Sequence, residues 1–264
     1  MLMNSIKKMI SKTSSPLILE VKQATYITPN MIRVTFSGSE LANIPTGCDG
    51  GNCKLTLPNI GQSQDEFVQQ LQDGQKFPVR TYTVRAYRKN DLEMDIDFVA
   101  HGDEGPASRW AMSAKPGDFC GFRGPSPAKV TDFTADYYIV AADMSALPLA
   151  AVTLEAMPRN AKGIALLEIT SDADKQIINA PQGINIHWLT HPDPHTPSSA
   201  QEDFLRQLTW PSGRIQVCVA GENSTVKSLR KLLLKEKEIQ KSDAYISGYW
   251  KIGLIEDEHQ KLKK

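Results

Sequence analysis

The sequence predicts two domains of different classes: an N-terminal antiparallel β-barrel and a C-terminal α/β domain built on a parallel sheet. The chain has 264 residues, whereas a single domain usually takes about 100–200. Over residues 17–130, short strand-like runs are interrupted by glycine and proline, which is typical of a small barrel. Over residues 131–264, strand-like runs alternate with helical ones, which favours a parallel sheet covered by helices.

The segment before the first strand and the overall composition exclude several classes of protein. Residues 1–16 contain lysines but no apolar signal-peptide core, so we expect a flexible leader. Thirty basic residues balance thirty acidic ones and no stretch is a membrane span, so we expect neither nucleic-acid binding nor stable membrane association. Four cysteines without a CxxC pair predict free buried thiols. We therefore expect a cytoplasmic monomer.

The clearest element of the first domain is a hairpin. In the run LEMDIDFVAH, alternate residues from Leu92 to Ala100 are apolar, which predicts a half-buried strand. The preceding run, RTYTVRAYR, is joined to it by the turn composition KND. This run begins with Arg80, Thr81, Tyr82 and Thr83, so neither face is apolar at its start.

A turn motif, HGDEGPASRWAM, directly follows the hairpin. Pro106 suits the first position of a helix, and the exposed N–H groups of a helix N-terminus suit a phosphate. An ordinary turn in which Asp103 and Glu104 offset the helix dipole is the alternative. The hairpin brings Arg80 and Tyr82 towards this turn. An arginine, an aromatic ring and a phosphate-binding helix end are the parts that a flavin dinucleotide needs.

The second domain departs from the usual dinucleotide-binding pattern. The turn after the strand YYIVAA reads DMSALP and lacks GxGxxG, which counts against an ordinary dehydrogenase. The strand GIALLEI leads to Asp172 and Asp174, which could lie beside an adenosine ribose. A carboxylate there repels a 2′-phosphate and favours NADH over NADPH, although the adjacent Lys175 acts in the opposite sense.

No residues predict a metal site or a nucleophile. His187, His191 and His195 would align on a helix, but Pro192 and Pro194 exclude a helix there, so we expect a polar loop. We find no Ser–His–Asp or Cys–His arrangement, so we expect no catalytic side chain of that type.

Several motifs occur in the order found in a known family. They are RTYTVR, DFVAHGDEGPASRWA, KPGD, ADMSALPLAA, AGE and GYWKIG. With them the chain resembles, over nearly its whole length, the siderophore-interacting proteins, which are NAD(P)H-dependent ferric-siderophore reductases of the ferredoxin-reductase-like superfamily. The resemblance implies an FAD-binding barrel over residues 17–130 and an NAD(P)H-binding α/β domain over residues 131–264.

The resemblance also implies roles for individual residues. Arg80 would contact the FAD diphosphate, Tyr82 would pack on the isoalloxazine ring, and Thr83 would hydrogen-bond near flavin N5. The other implied flavin-site residues are Thr81, Asp97, Val99, His101, Ala107, Ser108, Tyr249 and Trp250. The nicotinamide nucleotide would lie near Asp143, Ser145, Asp172 and Glu222, although relatives often have Asp-Glu-Thr where this chain has Asp143-Met144-Ser145. An anionic ferric siderophore would meet Arg123, Lys129 and Lys251.

These expectations define a function and two alternatives. The leading one is an FAD-dependent ferric-siderophore reductase, which passes electrons from NADH or NADPH through FAD to Fe(III) and releases Fe(II). A reductase of ferredoxin or flavodoxin is the first alternative, but the zero net charge does not favour a broad basic docking surface. A non-catalytic siderophore carrier is the second, and it would not need a flavin site.

Overall fold

The computed structural model describes residues 16–101 and 105–254. Of the predicted leader, all but Pro16 lies outside the described residues, as do residues 102–104 of the turn motif. The predicted order of a barrel followed by an α/β domain is confirmed.

Six strands form the closed antiparallel barrel, in the order β1-β2-β5-β4-β3-β6. They are β1 (Leu17–Thr28), β2 (Met31–Ser37), β3 (Asn52–Thr56), β4 (Val79–Arg88), β5 (Glu93–Val99) and β6 (Phe119–Arg123). Two helices, α1 (Gln64–Gln72) and α2 (Pro106–Ser113), belong to the same domain. Pairing of β1 with β6 closes the barrel and leaves no open sheet edge.

The predicted hairpin is confirmed as β4 and β5, which pair antiparallel from Val84–Ile96 to Arg88–Glu93. The alternation of β5 places Met94, Ile96 and Phe98 fully inside the barrel. The apolar rhythm read from the sequence is therefore the barrel core.

Five parallel strands form the second sheet, in the order β11-β10-β7-β8-β9. They are β7 (Tyr137–Ala142), β8 (Lys162–Ile169), β9 (Gly183–Thr190), β10 (Ile215–Glu222) and β11 (Ala244–Trp250). The helices are α3 (Leu147–Ala156), α4 (Ala200–Gln207) and α5 (Asn223–Lys231), the last continued by a π-helical turn over Leu232–Glu236. Within the described ranges, none of the helices has both the length and the apolar character that crossing a bilayer requires. Chain order reverses between β7 and β10, and ligands of such sheets usually bind beyond the strand ends at this point.

Specific contacts hold the two domains together. Met31 of the barrel is fully buried in a core cluster of the α/β domain. The Asn30 backbone and side-chain nitrogens each donate to Asp174 at 2.9 Å. Arg85 of β4 donates to both carboxylate oxygens of Glu155 on α3, at 2.8 and 2.9 Å. Asp174 is fully buried in this contact, so its carboxylate joins the domains and is not available to a ribose.

Candidate functional site

A cleft of about 540 Å³ lies between the two domains, within the range of about 300–1,000 Å³ that is usual for small-molecule sites. It is bounded by β3, β4, the loop after β6 and the end of β11. The lining residues are Asn52, Cys53, Lys54, Thr81, Tyr82, Arg123, Gly124, Ser126, Lys129, Ser247 and Tyr249. The cleft therefore brings three residues predicted for the flavin together with two predicted for the substrate.

The start of β4 forms one wall of this cleft. Thr81 and Tyr82 lie opposite Lys54 and Cys53 on β3, and the Tyr82 ring packs on Phe98 with centroids 4.3 Å apart. The polar beginning of the strand is thus explained by position, because Thr81 and Tyr82 border the cleft, whereas Val84 is fully buried in the barrel core.

Two hydroxyl groups test whether these residues fit a flavin. Thr83 is only 4% exposed, and its Oγ1 atom has no hydrogen bond of good geometry among the described residues. The same is true of the buried phenol oxygen of Tyr249. Burial raises the pKa of Tyr249 well above its usual value, Tyr245 adds to the rise, and the nearby Thr83 opposes it. Buried polar groups normally have partners. These two hydroxyls lie close enough to influence each other, but neither forms a bond of good geometry with a described residue, so both have hydrogen-bonding capacity left for a ligand with a polar edge, such as a flavin.

The predicted phosphate-binding turn leads into α2. Pro106 occupies the first turn of this helix, and no described side chain caps its N-terminus. The Ser108 hydroxyl accepts a hydrogen bond from the His101 backbone at 3.1 Å. A Cβ atom on Gly105 would lie 3.0 Å from the His101 ring, so this close approach favours glycine. Contact of His101 and Ser108 with FAD stays a prediction.

Three other residues predicted for the flavin site have partners within the protein. Asp97 forms an ion pair with Arg33, in which Nε and Nη2 donate to the two carboxylate oxygens at 2.7 and 2.8 Å. Val99 packs against the α/β core, and Ala107 is buried in the barrel core. None of the three is among the residues that line the cleft, and their contact with flavin stays a prediction.

Cations gather on the barrel side of the cleft. Arg123 lies in register with Lys54 where β6 pairs with β3, and Lys129 donates to the Ser126 hydroxyl at 2.8 Å. The described lining residues include no carboxylate, so the local field attracts anions although the chain is neutral overall. Lys54 was not predicted, because the pairing of β3 with β6 joins distant parts of the sequence.

Cys53 also lines the cleft but is 1% exposed. Burial raises the pKa of its thiol far above the usual value, so the sulfur stays protonated at neutral pH. A thiolate nucleophile is therefore not supplied here.

Asp143 lies at the point where the order of the parallel strands reverses. Its Oδ2 atom accepts from the Glu222 backbone at 2.7 Å and from Trp250 Nε1 at 2.8 Å. Its Oδ1 atom accepts from the backbone nitrogens of Ser145 and Ala146 at 2.9 and 3.3 Å. Burial raises the pKa of Asp143, and these hydrogen bonds offset part of the rise. Both oxygens are occupied by the protein itself.

Glu222 occupies the neighbouring helix N-terminus. Its Oε2 atom accepts from the backbones of Ser224 and Thr225 at 2.6 and 3.1 Å, which caps α5. A carboxylate at this helix N-terminus disfavours binding of a diphosphate there. Asp172 lies elsewhere and pairs with Lys175 at 2.8 Å. Contact of Asp143, Ser145, Asp172 and Glu222 with a nucleotide stays a prediction.

Comparison with known proteins identifies the family. The model of the siderophore-interacting FAD-binding domain matches residues 20–129, and that of the siderophore-interacting protein matches residues 135–253. Ferric vibriobactin reductase ViuB of Vibrio cholerae is 36% identical over 251 residues, which cover 92% of each chain. This chain belongs to the siderophore-interacting protein family. The resemblance read from the sequence motifs is thereby confirmed.

Two further proteins are similar to this chain in structure or in sequence. The crystal structure of the siderophore-interacting protein SipS from Aeromonas hydrophila matches with a TM-score of 0.81 and 30% identity, over 94% of this chain and 96% of that one. The NADPH-dependent ferric-chelate reductase of Escherichia coli is 30% identical over 182 residues, which cover 67% of this chain and 68% of that protein. The match over residues 20–129 shows that the N-terminal part of this siderophore-interacting protein is an FAD-binding domain.

Proposed function

We propose that this protein is a ferric-siderophore reductase, which uses NADH or NADPH to reduce the iron of a ferric siderophore through FAD. The observation that carries the proposal is the interdomain cleft, where two aromatic residues suited to a flavin, Tyr82 and Tyr249, adjoin a group of cations. The Vibrio cholerae relative is a ferric vibriobactin reductase and the Escherichia coli relative is an NADPH-dependent ferric-chelate reductase, and both support the proposal. When bound, FAD supplies the exchange between a two-electron hydride donor and a one-electron acceptor such as Fe(III).

The residues of β4 would hold and orient the flavin. Tyr82, supported from behind by Phe98, offers a fixed ring face. The Thr83 hydroxyl and the phenol of Tyr249, one from each domain, lie close together and would offer hydrogen bonds to the flavin. Arg80 would pair with the diphosphate through its planar fork, which matches phosphate oxygens.

Lys54, Arg123 and Lys129 would draw an anionic ferric siderophore into the cleft, and Lys251 would add a charge at its mouth. Siderophores bind Fe(III) through hard oxygen donors, which hold Fe(II) less tightly. Reduction is therefore enough to release the metal, and no protein nucleophile or general acid is needed.

The choice of electron donor depends on Asp172 in this proposal. A carboxylate beside the adenosine ribose favours NADH, whereas the Lys175 amino group 2.8 Å away reduces that preference. We propose NADH as the better donor, to be checked by comparing kcat/KM for NADH and NADPH. A higher value for NADPH, as the name of the Escherichia coli relative implies for that enzyme, would overturn this choice.

We place the reaction in the cytoplasm, where the four buried free cysteines would stay reduced, and expect the monomer to be the working unit.

An anaerobic assay tests the activity. The purified protein is loaded with FAD, mixed with NADH or NADPH, and given a ferric siderophore together with a dye that traps Fe(II). Bleaching of the flavin followed by trapped Fe(II) supports the reductase. Siderophore binding without bleaching by either nucleotide supports a carrier instead, and turnover with ferredoxin or flavodoxin alone supports the other alternative.

A pair of variants tests the flavin site. Arg80→Ala should weaken FAD retention far more than Lys251→Ala, because only Arg80 is assigned to the diphosphate. Retention is measured from the flavin absorbance that remains after gel filtration. Equal retention in the two variants contradicts the assignment of Arg80.

A further inference from the structure

The last strand of the parallel sheet carries an irregularity beside the cleft. Along β10 and β11, Gly221 pairs with Gly248, but the next pair is Glu222 with Trp250. Tyr249 is therefore an extra residue in β11, which is the definition of a β-bulge. Bulges are rare between parallel strands, and they serve to re-aim side chains near active sites.

Two contacts fix this bulge from either end. On the near side, a Cβ atom at position 248 would lie 2.5 Å from the Asn223 side chain, so Gly248 allows β11 to approach α5. On the far side, the Trp250 indole donates to Asp143 Oδ2 at 2.8 Å. The backbone that follows is also tied down, because the Ile252 N–H donates to Glu222 at 3.3 Å.

The side chain between these contacts belongs to the cleft. Tyr249 and Ser247 both line it, and the Tyr249 phenol oxygen is buried without a hydrogen bond of good geometry to any described residue. Thr83, on the barrel domain, has its buried hydroxyl close to this phenol.

We infer that Asp143 is a positioning residue for the flavin cleft: by holding the Trp250 indole it fixes the bulge that presents the Tyr249 phenol opposite Thr83. The inference rests on the proposed function, since it takes FAD as the group that the phenol meets. It also gives Asp143 a role that does not require contact with the nicotinamide nucleotide, for which both of its oxygens are already occupied.

The main test removes one N–H group. Trp250→Phe keeps an aromatic ring but loses the donor to Asp143, and Asp143→Asn weakens the same link from the other end. Trp210→Phe is the matched control, because the Trp210 Nε1 atom is buried with no hydrogen-bond partner among the described residues, and its ring lies under Lys237, outside the cleft. FAD is titrated into each apoprotein, and the dissociation constant and the visible spectrum of the bound flavin are recorded.

We expect the FAD dissociation constant to rise about five- to ten-fold in Trp250→Phe and in Asp143→Asn, which is the size of effect that the loss of one ordinary hydrogen bond predicts. The visible spectrum of the bound flavin should shift in both variants. In Trp210→Phe, the FAD dissociation constant should stay within two-fold of the wild-type value and the spectrum should not shift. The double variant should have an FAD dissociation constant no higher than that of the more strongly affected single variant, because both changes remove the same hydrogen bond. If Asp143→Asn fails to fold, Trp250→Phe still decides the result.

A second set of double variants tests whether the Asp143–Trp250 hydrogen bond acts on FAD binding through the Tyr249 phenol. In a Tyr249→Phe background, Trp250→Phe should change the FAD dissociation constant by less than two-fold, because no phenol remains to be positioned. A full five-fold effect in that background overturns the inference. Variants at positions 143 and 250 that bind FAD like Trp210→Phe also overturn it, and leave the proposed function intact. A wild-type protein that does not take up FAD at all overturns both.

Discussion

Replacing Thr83 by valine should move two properties of the protein in opposite directions. Valine has nearly the shape of threonine but no hydroxyl. Thr83 is only 4% exposed, and its hydroxyl has no hydrogen bond of good geometry within the described part of the chain. An unsatisfied buried polar group costs about 1–3 kcal/mol, so its removal should stabilise the apoprotein.

The expected size follows from these figures. Taking the lower end, because the cleft admits water, Thr83→Val should stabilise the apoprotein by about 1 kcal/mol, which raises the Tm by about 2–4 °C in a chain of this size. The same change should remove one hydrogen bond to FAD, worth about 1 kcal/mol, and so raise the FAD dissociation constant about five-fold.

Thermal melts of the apoprotein and FAD titrations measure the two effects separately. Thr153→Val is the matched control, since Thr153 is 2% exposed, lies outside the cleft and has Cys218 Sγ as a partner at 3.9 Å. It should lower the Tm and leave FAD affinity unchanged. If Thr83→Val lowers the apoprotein Tm and binds FAD like the wild type, the hydroxyl is satisfied within the protein and the reasoning fails.

Three further predictions follow from the described contacts. Arg123→Ala should lower kcat/KM for an anionic ferric chelate about ten-fold at low salt, and the deficit should shrink in about 0.5 M salt if the effect is electrostatic. Gly248→Ala should lower the Tm by several degrees, because the new Cβ would lie 2.5 Å from the Asn223 side chain. Adding Asn223→Ala should restore part of the lost Tm. Equal Tm values for the single and double variants would contradict the clash. Hydrogen bonds from Arg214 hold the pKa of Asp243 below its usual value. The contribution of Asp243 to the stability of the folded protein is therefore complete above the unfolded pKa of about 3.9, and it is lost as the pH falls through the lower folded pKa. Asp243→Asn should therefore lower the Tm at pH 7 by more than at pH 3.5, and an equal deficit at both would refute this.

Local patterns in the sequence were sufficient to predict the fold. The alternation of apolar residues around Met94, Ile96 and Phe98 predicted the barrel strand, and the alternation of strands and helices after residue 131 predicted the parallel sheet. The polar start of β4 also pointed to a binding surface, because polar residues in an otherwise apolar strand need a reason.

Contacts between distant segments could not be predicted in the same way. Nothing near Lys54 indicates that it lies opposite Arg123. Likewise, nothing near Asp143 indicates that its partner is an indole 107 residues away. A sequence shows which residue types occur, whereas the register between separate strands is fixed only when the whole sheet assembles.

The ties between the two domains have a consequence for recombination. The contact of Asn30 with Asp174 and that of Arg85 with Glu155 are each encoded half in one domain and half in the other. A chimera that takes its barrel from one homologue and its parallel sheet from another would keep both cores, but it would lose these pairs wherever the donor has other residues at the four positions. Swapping the halves should therefore succeed best when both partners of each pair are restored together by substitution.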